Sequence, residues 1–201
     1  MSNSQNLKDP IREEILNGAR DLFERFGFKK TTMEDIARAI GKSKSALYYY
    51  YKTKEDIFEA VVLREVDDQR AQVIEVVKKV ESASDKFRVL FISMLEGIKQ
   101  KANKFSIMKA EINETHFLIE SILKQRDSYV EELLKDILIL GISQREVKMM
   151  NNAEMSLWAK MVNIILRSMG NKIFSEEEFN LSENQLSFLA DTLFCGVAGK
   201  H

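Results

Sequence analysis

The chain has 201 residues, with one proline, eight glycines, two histidines and one cysteine. So few chain breakers exclude a turn-rich β fold and favour long helices, and the lone Cys195 excludes an intrachain disulfide, as suits a reducing compartment. The net charge of −1 hides an asymmetry: residues 1–54 carry 11 Lys/Arg against 7 Asp/Glu, and within residues 27–54 the balance is 7 to 2. By itself that basic stretch fits either a polyanion-binding head or a charge cluster on a solvated face.

The opening "MSNSQNLKDPIREE" has no apolar core, so no secretory leader is expected. Asp9 before Pro10 reads as an N-cap with proline at the first helical position. Ile11, Ile15, Ala19, Leu22, Phe23 and Phe26 follow on one helical stripe. Gly27 is placed to end that helix in a left-handed turn.

Next comes "TTMEDIARAIGKSKSALYYYYKTKED", with four consecutive tyrosines, Tyr48 to Tyr51. Thr32 and Asp35 have the form of a capping box. A short helix over Met33–Ile40 buries Ile36, Ala37 and Ile40, and Gly41 stops it. Ser43 caps a second helix over Ser45–Tyr50, and Thr53 a third, with Glu55 and Asp56 in its first turn. Three starts and two stops in about 25 residues do not make one strand, and no partner strand lies nearby. The reading is helix–turn–helix, with the tyrosines on the second helix.

Beyond Thr53 the chain is expected to be helical near residues 54–80, 84–101, 104–112, 115–140, 152–169 and 183–197, each with apolar residues three and four apart. The 115–140 and 152–169 segments are apolar over more than a narrow stripe, which means deep burial, a ligand cavity or a partner subunit. The longest apolar run, "ILILGI" at 137–142, is too short to span a bilayer. A cytoplasmic protein without a membrane partner is the expectation.

Successive helical residues turn by about 100°. With Leu47 inward, Tyr51 is inward too, Tyr49 and Tyr50 point away, and Tyr48 sits at the border. The outward face would show Lys44, Tyr48, Tyr49 and Tyr50 beside Lys42, Lys52 and Lys54. Phenols and ammoniums donate to phosphate oxygens, and rings pack on sugars and thymine methyls. The helix starts at Thr32 and Ser43 offer backbone N–H groups.

The stretch "TTMEDIARAIGKSKSALYYYYKTKEDIF" resembles the DNA-binding segment of TetR-family transcriptional regulators: T-x-x-x-I-A-x-x-x-G, then S-x-x-x-L-Y-x-Y-F, then K-x-K-x-x-L. The resemblance covers about 50 residues, including "LFERFGF" in the first helix. It implies an all-α protein: an N-terminal three-helix bundle with helix–turn–helix over residues 1–53, and a helical effector-binding and dimerisation domain over residues 54–201. It implies a palindrome-binding homodimer, more readily a repressor than an activator. Thr31 and Thr32 are implied as phosphate contacts at the second helix's entry, and Ser43, Lys44, Ser45 and Tyr49 as the base-reading face. Tyr48, Tyr50 and Lys54 are implied as further phosphate contacts. Tyr51 replaces the usual Phe. Lys42 stands where a turn hydrophobe is common and adds a possible phosphate contact.

For the rest of the chain the resemblance implies dimerisation through the last two helices and a small apolar or amphipathic effector, with no cofactor or metal. Phe91, Met94, Phe105, Met108, His116, Phe117, Tyr129, Trp158 and Met161 are candidates to line its pocket, their Met and aromatic richness suiting an adaptable apolar site. Ordinary core is the alternative for each. His116 has three readings: orienting a polar ligand group, capping a helix, or facing water.

An enzyme is the first competing class. The chain has no P-loop, dinucleotide fingerprint, nucleophile elbow or zinc-ligand spacing, and no catalytic residues are expected. A helical interaction module that does not touch DNA is the second, and salt-dependent affinity for duplex DNA separates it from a regulator.

Overall fold

The computed structural model describes residues 9–106, 112–175 and 181–199, without the side chains of residues 112–117, 119, 174 and 175. Among the described residues are eight helices: α1 Pro10–Lys30, α2 Met33–Ala39, α3 Lys44–Tyr50, α4 Lys54–Val77, α5 Ala83–Lys104, α6 Ile112–Ser143, α7 Asn152–Ser175 and α8 Glu183–Cys195. The fold is all-α, as expected. The separate helix expected over 104–112 falls mostly outside the described residues; Lys104 itself ends α5. The chain divides into two compact units: Met1–Glu65 with Lys104–Ile122, and Val66–Asn103 with Leu123–His201.

In the first unit, local chemistry sets the helix boundaries. Asp9 Oδ1 accepts from Ile11 N at 3.0 Å. Thr32 and Asp35 form the reciprocal capping box, Ser43 Oγ accepts from Ala46 N at 3.1 Å, and Thr53 Oγ1 accepts from Asp56 N at 3.0 Å. The Asp56 carboxylate returns the favour by accepting from Thr53 N at 2.9 Å. Each such cap is worth about 1 kcal/mol. Gly27 does not end α1 but kinks it: its φ of 81° is open to glycine, and helix resumes as far as Lys30. The kink turns Phe28 inward, where its ring lies 4.9 Å from Phe58 and 5.8 Å from Phe23. Gly41, with φ of 64°, makes the turn between α2 and α3. Ile15, Ala19, Phe23, Ile36, Leu47, Ile57 and Val61 complete one core, and Phe105 and Leu118 pack against it. Gly18 lets α2's end approach α1, since a Cβ there would meet Ile40 Cγ2 at 2.4 Å.

The second unit is centred on α5. Phe87, Leu90, Phe91 and Leu95 are buried with Leu134 and Leu138 of α6, Leu166 of α7 and Phe194 of α8. Phe87 is the hub, with Trp158 at 5.2 Å and Phe194 at 5.7 Å between ring centroids. Val73 and Val77, from the end of α4, join this core. Lys148 N donates to Val197 O and Gly199 N to Glu146 O, at 3.0 and 2.8 Å, tying the α6–α7 connection to the segment after α8.

Candidate nucleic-acid interface

The helix α3 is seven residues long, and Leu47 is its one buried side chain. Tyr51, the cap residue after it, is 7% exposed under the Arg12 guanidinium, 5.2 Å from its ring; burial raises its phenol pKa. Both point inward, as the helical geometry requires. Tyr49 is 77% exposed and Tyr48 37%, with Ser43, Lys44 and Ser45 also exposed at the head of the helix. Tyr50 differs from expectation. It is half-buried and packs against the core, because it follows Leu47 by three residues and lies only about 60° from the buried direction. Its ring meets Tyr49 edge-on at 5.2 Å, and its phenol pKa is raised by burial and then by the Asp9 carboxylate.

The ammoniums all have internal partners. Lys42 Nζ lies 3.3 Å from Glu14. Lys44 Nζ pairs with Glu34 and sits 5.8 Å from the Tyr48 ring centroid; the hydrogen bond it donates to Glu34 raises its pKa, and the same bond lowers that of Glu34. Lys52 Nζ donates to Tyr48 O at 3.1 Å, favourable at a helix C-terminus. Lys54 is half-buried: it donates to Phe28 O at 2.8 Å and lies 4.1 Å from the Phe28 ring centroid. Thr31 is 2% exposed, its hydroxyl donating to Gly27 O at 2.7 Å, so its side chain serves the kink rather than the surface. Thr32 is exposed, its hydroxyl engaged with Asp35; that hydroxyl and the Thr32 N–H lower the Asp35 pKa.

The structure thus gathers Lys42, Ser43, Lys44, Ser45, Tyr48 and Tyr49 at the turn and along the exposed side of α3, while Thr31, Tyr50 and Lys54 are partly or wholly drawn into the fold. Sequence reasoning missed Glu14 and Glu34. One signal for Glu34 was available: it and Asp35 are the two acids in residues 27–54, and Asp35 has a capping role.

The effector candidates do not meet at one described cavity. Phe91 and Met94 are core residues of the second unit. Trp158 and Tyr129 are partly buried against that core, Tyr129 beneath the Arg70 guanidinium at 3.8 Å. Met161 is 55% exposed on α7, and Phe105 packs in the first unit. Met108 lies outside the described residues, as do the side chains of His116 and Phe117. A cavity of about 550 Å³ in the second unit has other walls, among them Leu95, Lys99 and Asn103 of α5, Ile173 of α7, and Leu181 and Leu186. Among the described residues no cluster of His, Cys, Asp and Glu is arranged to hold a metal, and no helix is long and apolar enough to cross a membrane.

Residues 15–61 match the family model described as "Bacterial regulatory proteins, tetR family". The HTH-type transcriptional regulator UidR of Escherichia coli K12 is 35% identical over 71 residues, so the matched part spans about a third of either chain. A transcriptional regulator from Cytophaga hutchinsonii shares the fold with a TM-score of 0.76 at 21% identity, over 94% of this chain and 99% of its own. AibR, solved in complex with isovaleryl coenzyme A and operator DNA, matches at a TM-score of 0.60 and 18% identity, over 91% and 97%. The capped helix–turn–helix lies within the matched residues, so the likeness to the tetR family of bacterial regulatory proteins rests on this segment of the chain.

Proposed function

We propose that the protein is a sequence-specific, duplex-DNA-binding transcriptional regulator, acting as a homodimer on a palindromic operator and released by a small effector. The observation that carries the reading is the exposed Tyr49 on a short helix anchored by Leu47 and headed by Lys42, Ser43, Lys44 and Ser45. A solvated face has little use for a bare phenol ring, whereas a major groove offers it sugars and thymine methyls. Lys42, Lys44 and Tyr48 would take phosphates, joined by Thr32, Tyr50 and Lys54 to the extent that they leave their internal partners. Thr31 would contribute through backbone position.

Dimerisation is supported by an apolar face in the second unit. Leu157, Met161 and Ile164 recur at helical spacing on α7 and are each more than half exposed, and Phe188 on α8 is 70% exposed. Such a face is a liability on a monomer. A two-fold pair also matches half-sites about one helical turn apart. The effector is proposed to be small and apolar or amphipathic. The described cavity has the volume of a ligand site, and AibR, which shares the fold, was solved with isovaleryl coenzyme A and operator DNA together. A ligand that prefers one dimer geometry shifts the population away from the DNA-competent one. A cytoplasmic location and regulation rather than catalysis follow from the same reading.

Selection of bound duplexes from a random pool, combined with a salt titration, tests this. The expected result is a two-fold symmetric motif and an affinity that falls steeply with salt. Salt-independent affinity, or no enrichment, refutes the reading.

A further inference from the structure

We infer that Glu34 is an internal competitor for the DNA phosphates, holding Lys44 at the head of the reading helix and so restraining the head's affinity for DNA of any sequence. The inference rests on the DNA-binding reading above. Glu34 is on α2 and Lys44 ten residues on at the start of α3, and their side chains are joined by a direct ion pair, each about half exposed. Nothing in the fold of α2 needs that carboxylate to reach across: Thr32 and Asp35 already cap the helix. Glu14 of α1 does the same for Lys42 in the turn between α2 and α3, at 3.3 Å. Both ammoniums that bracket Ser43 therefore meet a protein carboxylate in the place of a phosphate oxygen.

A phosphate must displace the carboxylate and then tolerate it close by. The resulting penalty falls on the electrostatic share of binding, which supplies essentially all affinity for random sequence. An exposed pair of this kind corresponds to about a two- to fivefold change in an equilibrium constant. A restrained general affinity leaves a regulator less occupied by the excess of non-operator DNA.

The test is Glu34→Gln, with random-sequence duplex as the probe and affinity measured across salt concentrations. The expected outcome is a two- to fivefold tighter complex at low salt, a salt slope steeper by up to about 0.9 per head, and convergence with the parent at high salt. In a Lys44→Met background the same change should lose most of its effect. Unchanged affinity and slope on a parent that binds DNA overturns the inference while leaving the regulator reading standing. A full effect that persists without Lys44 also overturns it. A parent with no salt-dependent binding removes both.

Discussion

Replacing Lys54 by methionine separates a phosphate contact from a fold contact at one position. The family resemblance implies the former, whereas the ammonium is engaged by Phe28 O at 2.8 Å and by the Phe28 ring at 4.1 Å. A hydrogen bond from a charged donor contributes about 1.5–3 kcal/mol, and a cation over a ring about 0.5–1 kcal/mol at an exposed site. Lys54 is half-buried, and methionine keeps most of its apolar stem, so the expected loss is about 1–3 kcal/mol. The chain supplies its own reporters. Four of its five tyrosines are residues 48–51 in the first unit, and its one tryptophan, Trp158, is in the second. Thermal unfolding followed by the near-ultraviolet tyrosine signal should show a midpoint lower by about 4–8 °C per kcal/mol for a unit of this size. The salt slope of DNA binding at a temperature where the variant is folded should change by much less than the ~0.9 per head of a phosphate contact. An unchanged midpoint together with a slope reduced by that full amount would refute the reasoning and make Lys54 a phosphate ligand.

Three other outcomes are expected. Tyr49→Ala should leave the unfolding midpoint within about 0.5 kcal/mol of the parent, as an exposed position allows, yet change the motif recovered by selection; an identical motif removes Tyr49 from base reading. Ile164→Glu should raise the dimer dissociation constant about a hundredfold or more, the equivalent of one buried aliphatic side chain lost and a charge set in its place, and sedimentation at micromolar concentration should then show monomer; an unchanged dimer sinks the proposed α7–α8 interface. The head should also be acid-sensitive. Glu34 and Asp35 are both held below their ordinary values of 4.5 and 3.8, by Lys44 and by Thr32 respectively. A depressed folded-state pKa stabilises above the unfolded value, and that stability is lost as pH falls through the folded one. The tyrosine-reported midpoint should therefore drop below about pH 4, and less so in Asp35→Asn; equal acid dependence in the two proteins contradicts the assignment.

Residue spacing on α3 shows how far a helical wheel reaches. It orients Leu47, Tyr49 and Tyr51 correctly, because these differ by multiples of a fixed rotation from one buried anchor. It misplaces Tyr50, whose direction is close enough to that anchor for the neighbouring core to claim the ring. The pocket residues are a harder case. Phe91, Met94 and Trp158 are apolar for the core's sake as much as for a ligand's, and apolarity alone does not say which.

The amino-acid sequence by itself determined where the first four helices start and which residues cap them. Asp9, Thr32, Ser43 and Thr53 each satisfy backbone donors two or three residues away, and an interaction that short needs no tertiary partner. It also determined the helix–turn–helix, which is written in the spacing of Gly, Leu and Tyr, and with it the match of residues 15–61 to the tetR family model. Only the tertiary structure decided what each lysine holds. Glu14 meets Lys42, Glu34 meets Lys44, and Phe28 O meets Lys54 across separations of up to 28 residues. Those meetings follow from how α1, α2 and α4 pack around Phe23, Phe28 and Phe58, which bring together side chains that no local pattern links.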